Sequence, residues 1–153
     1  MQGRTVRTLY GMVERLAFLV DAITGARDQA RTAAAGLADK DPLQGRLSAF
    51  AESLDRQRTA LVSSQRGEGI SGEEKLREEI GLLYGNVNVY EGRPTQSQID
   101  RMSVLDAELT AAVGRFEALM AKDGAVVNAQ LAGKRLPAIP KLTRDEWERR
   151  RPA

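Results

Sequence analysis

The stretch EGRPTQSQ, residues 91–98, decides the fold, because it ends one regular segment and starts another. Gly92 can adopt the positive φ that ends a helix. Pro94 cannot continue a helix and keeps Arg93 out of the helical region. The stretch therefore predicts a tight reversal between two antiparallel helices, and we interpret it as a structural turn.

The residues after this reversal have the pattern of a helix start. Thr95 is placed as the N-cap residue, and Gln98, three positions later, completes a capping box. A helix beginning near Gln96 is predicted from apolar residues that recur every three or four positions, namely Ile99, Met102, Leu105, Leu109, Val113, Phe116 and Met120. Asp123-Gly124 predicts a kink, after which Val126, Val127 and Leu131 continue the pattern to Gly133.

Two helices are predicted in the first 64 residues. The first runs from about residue 4 to the upper thirties, with an apolar stripe of Val6, Leu9, Val13, Leu16, Val20, Ile23, Ala30, Ala34 and Leu37. Asp41 before Pro42 predicts an N-cap followed by proline at the first helical position, with Gln44 placed to reach back. The second helix then spans about 42–64.

A third helix is predicted upstream of the reversal. The Gly- and Ser-rich residues 63–72 predict a loop, and Ser71 with Glu74 predicts the capping box that starts the helix. NVNVY, residues 86–90, alternates with period two and leaves a short strand as an alternative. We favour a helix, because Val87 continues the three-four spacing and no partner strand is visible.

Short connections between these helices favour an all-α fold, an antiparallel four-helix bundle with up-down-up-down topology over residues 1–140. A long helical hairpin with the two shorter helices packed alongside is the alternative. Residues 141–153 form an irregular basic C-terminal tail, in which Thr143 and Glu146 predict one short helix.

Composition excludes several kinds of chemistry. The chain has neither cysteine nor histidine, which removes disulfides, thiol nucleophiles, Ser-His-Asp triads and thiolate- or histidine-ligated metal sites. Residues 141–153 contain five basic and three acidic residues, so the net charge of +2 belongs to the tail and residues 1–140 are neutral. Nucleic-acid binding by the body of the protein is not favoured. We predict no catalytic residue, no cofactor and no bound metal.

Membrane and export signals are not predicted in this sequence either. The most apolar run, LAFLVDAI at residues 16–23, is interrupted by Asp21 and is too short to span a bilayer. It also lacks the form of a signal peptide.

Aromatic and basic residues cluster at one place, the tail, where Trp147 is followed by three arginines, Arg149, Arg150 and Arg151. These four are the candidate interaction residues, and a contact with nucleic acid or an anionic membrane is one interpretation. We favour a tryptophan that holds the tail against the bundle, because Glu146 and Glu148 dilute the positive charge.

Glycine and asparagine residues give two weaker signals. Gly81 and Gly85, four apart, predict close packing inside the bundle, with a helix–helix dimer contact as the alternative. Asn86, Asn88 and Asn128 lie beside apolar stripes, and we expect them to bond backbone groups at helix ends or to lie at the boundary of the core, with ligand binding as the alternative. The acidic residues Glu73, Glu74, Glu78 and Glu79 alternate with basic ones and predict a solvated face.

Residues 73–131 resemble a known arrangement. The residues that carry the likeness are an LYG segment at 83–85, Pro94-Thr95 in the turn, and Asn128 with Leu131 further along the chain. This pattern is similar to the C-terminal helical region of bacterial proteins with BNR/Asp-box (sortilin-like, VPS10-type) β-propellers. The upstream segments VRTLYGMVERL and DPLQGRLS resemble that region as well.

The resemblance implies an accessory module of an extracytoplasmic β-propeller protein, periplasmic or secreted, whose partner is the propeller or another protein. It implies no activity for this chain, because the Asp-box motif S-x-D-x-G-x-T-W that marks the propeller is not found in it. We therefore expect a non-catalytic structural or protein-interaction module, with homo-oligomerisation left open. The alternative is a stand-alone helical protein that binds an anionic surface or partner through its basic tail.

Overall fold

The computed structural model describes residues 2–62, 76–89 and 94–150, and within these ranges the chain is helical without strands. The helices are α1 (Gln2–Ala35), α2 (Pro42–Leu61), α3 (Leu76–Val89), α4 (Gln96–Leu119), α5 (Ala125–Gly133) and α6 (Arg144–Arg150), and a π-helical turn, Met120–Gly124, joins α4 to α5.

The all-α class predicted from the sequence is confirmed. Residues 86–89 belong to α3, so helix was the correct choice there. The loop predicted at 63–72 and the capping box of Ser71 and Glu74 lie outside the described residues.

Two predicted helix starts are confirmed by their hydrogen bonds. The backbone N–H of Leu43 donates to Asp41 Oδ1 (2.9 Å), which makes Asp41 the N-cap of α2 with Pro42 as the first helical residue. The N–H of Glu146 donates to Thr143 Oγ1 (3.2 Å) and caps α6. Gln44 does not reach back to Asp41, since its side-chain amide lies 3.5 Å from the Ala34 carbonyl oxygen.

Helix α5 ends at Gly133, as predicted. The residue in the left-handed conformation is Arg135, with φ of 59°, two positions beyond Gly133. Leu136 N–H donates to the Leu131 carbonyl (2.9 Å) and Arg135 N–H donates to the Ala132 carbonyl (3.0 Å). These two bonds form a Schellman motif, so α5 ends in the usual geometry but with arginine at the position where glycine is preferred.

The chain groups into two compact units. Unit 1 comprises Met1–Leu19 and Thr59–Val113, and unit 2 comprises Val20–Arg58 and Gly114–Ala153. Helices α1, α2 and α4 supply residues to both units. The division into a bundle at 1–140 and a tail at 141–153 stays a prediction.

The core of unit 1 is built from apolar residues of α1, α3 and α4 at alternating spacings of three and four, including Leu9, Met12, Leu16, Ile80, Leu83, Leu105 and Leu109. This is the spacing of heptad-type helix packing. It places Met12 in the core, while Val13, predicted to be buried, is exposed, because adjacent residues differ by about 100° around a helix. Arg15 joins α1 to α4 by donating to Asp106 (2.8 Å).

The core of unit 2 combines small and large side chains. The α1 stripe narrows to alanine, as predicted, with Ala26 and Ala30 buried. The larger buried residues of unit 2 come from α2 and the later helices and include Leu47, Phe50, Leu54, Phe116 and Leu131. Arg27 of α1 bonds Asp55 of α2 (2.6 Å) with its guanidinium largely covered. Hydrogen bonds to carboxylates are stronger than neutral ones, so this pair supports the packing of α1 on α2.

The π-helical turn changes which residues after α4 face the core. Continuing the heptad positions of Leu105, Leu109, Ala112 and Phe116 as a regular helix would bring residues 119, 123, 126 and 130 to the core. Instead Gly124, Val127 and Leu131 are buried, whereas Val126 is 49% exposed. The turn therefore inserts one residue into the helix. The kink predicted at Asp123-Gly124 is a π turn, and only one of the two predicted valines is in the core.

Among the described residues, no helix combines the length and the apolar character needed to cross a bilayer.

Candidate functional site

The predicted turn at 91–98 is a helix start in the part that the structure describes. Thr95 N–H donates to Gln98 Oε1 (2.9 Å), and Gln98 N–H donates to Thr95 Oγ1 (3.1 Å). This is the reciprocal capping box expected from the sequence, and α4 begins at Gln96 as predicted. Pro94 precedes it as a non-helical residue, while Gly92 and Arg93 lie outside the described residues. Thr95 and Gln98 thus have a structural task.

Trp147 lies at the centre of the C-terminal region. Its side chain is only 5% exposed, and its indole N–H donates to Asp21 Oδ2 of α1 at 2.7 Å. The guanidinium of Arg144 lies 4.9 Å from the centre of the ring, close enough for a cation–π interaction. The prediction that Trp147 holds the tail in place is confirmed. Asp21, 126 positions away in sequence, was noted only as an interruption of the apolar run 16–23, and not as a partner of Trp147.

Of the three arginines that follow Trp147 in the sequence, the structure describes two. Arg149 and Arg150 are exposed, and Arg151 lies outside the described residues. Arg150 lines a groove of about 390 Å³ between α1 and the C-terminal region, together with Asp21, Thr24, Gly25, Asp28, Leu142 and Trp147. The structure therefore brings Trp147 and Arg150 together with acidic residues of α1, which partly balance the positive charge of the tail.

Residues 134–150, which we call the C-terminal strap, are fixed to unit 2 at several points. Asn128 of α5 accepts a hydrogen bond from Ile139 N–H (2.8 Å) and donates one to the Ile139 carbonyl (3.3 Å), and Ile139 is buried. The expectation that Asn128 bonds backbone groups is confirmed. The partner lies in the extended segment after α5, because one asparagine side chain can satisfy both backbone groups of a residue that has no helix partner.

Two lysines of the strap form ion pairs with other parts of unit 2. Lys134 pairs with Asp41 at the start of α2 (2.6 Å), and Lys141 pairs with Glu117 of α4. The Lys134 ammonium and the Leu43 N–H hold the pKa of the Asp41 carboxyl below its usual value. Asp41 therefore caps α2 and binds the strap with the same carboxylate.

A second feature is an aromatic surface of unit 1. Tyr10 of α1 and Tyr84 of α3 have their ring centres 6.4 Å apart with the rings tilted by 47°. Tyr10 is 51% exposed, and Val13, one helical turn further along α1, is also exposed. We call Tyr10, Val13 and Tyr84 the tyrosine surface. Sequence reasoning missed it because it placed Val13 in the core stripe.

The glycine pair of α3 does not have the role predicted for it. Gly81 and Gly85 are exposed, and no heavy atom of the described residues lies within 4 Å of where a Cβ would stand on either. Close packing inside the bundle is therefore the wrong explanation for the described part of the chain. Leu82, between them, is 57% exposed. The dimer contact stays an untested prediction.

The acidic residues of α3 are engaged with arginines. Glu79 bonds Arg101 of α4, and Glu78 lies 3.6 Å from Arg77. No group of three or more carboxylates that could hold a metal ion occurs among residues 2–62, 76–89 and 94–150. Glu78 and Glu79 therefore form ion pairs in unit 1, while Glu73 and Glu74 lie outside the described residues.

No family model matches the chain, and no curated protein or solved structure was found to be similar to it. The resemblance to the helical region of β-propeller proteins therefore rests on the sequence pattern.

Proposed function

We propose that this chain is a non-catalytic helical module that binds another protein through the tyrosine surface of unit 1. The supporting observation is that the Tyr10 ring and Val13 are solvent-exposed one helical turn apart on α1, with the Tyr10 ring beside that of Tyr84. Tyrosine is enriched in the energetically important parts of protein interfaces, because a rigid aromatic ring buries a large area at little entropic cost.

The module would be an up-down-up-down four-helix bundle that presents this surface on a rigid base. Heptad-spaced core residues in α1, α3 and α4 support this arrangement, as does the α1–α4 pair of Arg15 and Asp106. The pair of Arg101 and Glu79 joins α4 to α3. Rigid helices with packed cores lose little entropy on binding, which favours their use as docking surfaces.

The partner proposed for this surface is an extracytoplasmic β-propeller. This part of the proposal comes from the LYG segment at 83–85, Pro94-Thr95 and Asn128 with Leu131, which resemble the helical region of BNR/Asp-box proteins. Tyr84 belongs both to that segment and to the tyrosine surface. The segment that carries the resemblance thus also supplies part of the surface proposed to bind.

A photo-crosslinking experiment in the source cells tests the binding surface. A photoreactive phenylalanine analogue replaces Tyr10 in one variant and Arg31, an exposed residue of α1 in unit 2, in a control variant. We expect crosslinking from position 10 and not from position 31, with the crosslinked peptide assigned by mass spectrometry to a β-propeller, in the same polypeptide or in another. Equal crosslinking from both positions, or none from position 10, would contradict the proposal.

Fractionation of the source cells tests the accessory role separately. An antibody to the purified domain should detect a band several times the 16.7 kDa of this sequence in the envelope or secreted fraction. A band near 16.7 kDa in the cytosol would remove the propeller and the extracytoplasmic location from the proposal.

The alternative, binding of an anionic surface through the tail, has less support. Trp147 is buried and its indole N–H is bonded to Asp21, so in this conformation it does not offer its ring to a surface. Binding to anionic vesicles that falls steeply with salt and is lost when Arg149, Arg150 and Arg151 become alanine would favour this alternative.

A further inference from the structure

The C-terminal strap has little stability of its own. Its helix, α6, has seven residues, which is too short to be stable in isolation, so it depends on docking. Two of its residues, Ile139 and Trp147, are buried apolar anchors. A cavity of about 110 Å³, lined by Ala22, Ala26, Pro140 and neighbouring residues, adjoins the groove between α1 and the strap. The contact of the strap with α1 is therefore incompletely filled.

Three of the strap's attachments use a carboxylate, each from a different part of unit 2. Asp21 of α1 accepts from the Trp147 indole, Asp41 before α2 pairs with Lys134, and Glu117 of α4 pairs with Lys141. A hydrogen bond to an ionised carboxylate is roughly twice as strong as a neutral one, and an ion pair is lost on protonation. Each of the three attachments therefore uses a carboxylate oxygen of another part of unit 2.

Other charged groups lie beside each of these three carboxylates. Asp21 shares its groove and the adjoining cavity with Asp28, Glu146 and Arg150. Asp41 faces Lys134 and the Leu43 N–H, and Glu117 faces Lys141. A carboxyl whose pKa is lowered by folding, as for Asp41, stabilises the docked strap above its unfolded pKa and loses that effect as pH falls through the folded pKa.

We propose that the C-terminal strap is an acid-sensitive latch. At low pH the strap detaches from α1, while the long helices stay folded. Detachment exposes the Trp147 ring together with Arg149 and Arg150 on a free segment. Local opening of this kind takes place wherever a segment has few apolar contacts and its own separate set of polar ones. The docked state of the strap thereby controls whether the aromatic and basic residues of the tail are accessible.

A single tryptophan makes the proposal directly measurable, because Trp147 is the only one in the sequence. Tryptophan emission and its quenching by acrylamide report the strap, and far-UV circular dichroism reports the long helices. In a titration from neutral to acidic pH, we expect quenching to increase and emission to move to longer wavelength before helical signal is lost. Fluorescence and helical signal that change together, or Trp147 emission that does not respond to acid, would overturn the proposal.

Two variants separate the latch from general acid effects. Asp21→Asn keeps an oxygen that can accept the indole N–H but removes the charge, so we expect more quenching than wild type at neutral pH and a flatter pH response. Glu52→Gln removes an exposed carboxylate of α2 that does not contact the strap through any of the three attachments, and its titration should match wild type. An Asp21→Asn protein with the quenching and full pH response of wild type would contradict the role of Asp21.

Discussion

Replacing Asn128 with alanine should destabilise the protein measurably, because it leaves both backbone groups of buried Ile139 without their side-chain partner. Two hydrogen bonds at about 0.5–1.5 kcal/mol each give a loss of about 1–3 kcal/mol. Alanine has a higher helix propensity than asparagine, which stabilises α5 by about 0.5 kcal/mol and offsets part of this loss. The expected net loss is therefore about 2 kcal/mol, since the 2.8 Å bond from Ile139 N–H is short and in the preferred range.

Urea unfolding followed by circular dichroism measures this loss, and thermal unfolding should show a Tm lower by about 4–8 °C for a chain of this length. Asn86→Ala is the matched control, because Asn86 is an exposed residue of α3 and its replacement reports the propensity gain without loss of an Ile139 bond. Asn128→Asp should fall between wild type and Asn128→Ala, since aspartate still accepts from Ile139 N–H but cannot donate to its carbonyl. If Asn128→Ala is as stable as Asn86→Ala, the two hydrogen bonds to Ile139 do not stabilise the docked strap.

Three further substitutions have expected outcomes that urea or thermal unfolding can check. Arg135→Gly should stabilise by about 0.5–1 kcal/mol, because glycine adopts the φ of 59° without the Cβ strain of arginine; a loss would contradict this. Gly124→Ala should be neutral or stabilising by up to about 1 kcal/mol, because the new Cβ would lie 3.5 Å from Phe50 Cζ, whereas Gly124→Leu should cost about 1–3 kcal/mol through overpacking. Asp41→Asn should lower Tm at pH 7 by removing the Lys134 ion pair, and its difference from wild type should disappear as pH falls below the lowered pKa of Asp41; a difference that persists in acid would show that the ion pair is not its source.

Local signals in the sequence predicted the helix starts well. Asp41, Thr95 and Thr143 each cap a helix through hydrogen bonds to backbone groups two or three residues away. Such contacts depend only on neighbours in the chain, so a sequence pattern contains all that is needed to recognise them.

The core face of α1 was predicted less well, for a physical reason. Val6, Val13 and Val20 are as apolar as their neighbours Met12 and Leu19, and a stripe through either set has helical spacing. Which set is buried depends on where the other helices pack, and that information lies outside the helix. Leu9 and Leu16 belong to both stripes and are buried.

The contacts that fix the strap could be predicted only in part. The sequence indicated that Trp147 packs and that Asn128 bonds backbone, but their partners Asp21 and Ile139 lie 126 and 11 residues away. The end of α5 shows the same limit. Gly133 is the last helical residue, as predicted, but arginine is unusual in the left-handed conformation, so no local signal indicated Arg135 as the residue of the reversal.

The π-helical turn at Met120–Gly124 gives this protein a place where its length can change without a change of fold. Deleting one exposed residue of the turn, such as Lys122, would leave Gly124, Val127 and Leu131 at the positions that a regular helix continuing from Phe116 turns toward the core. An ancestral helix one residue shorter could therefore have accepted an insertion here, with the extra residue absorbed in the wider turn and every later core residue unmoved. In homologous chains, single-residue gaps are expected to concentrate in these five positions rather than elsewhere in α4 and α5.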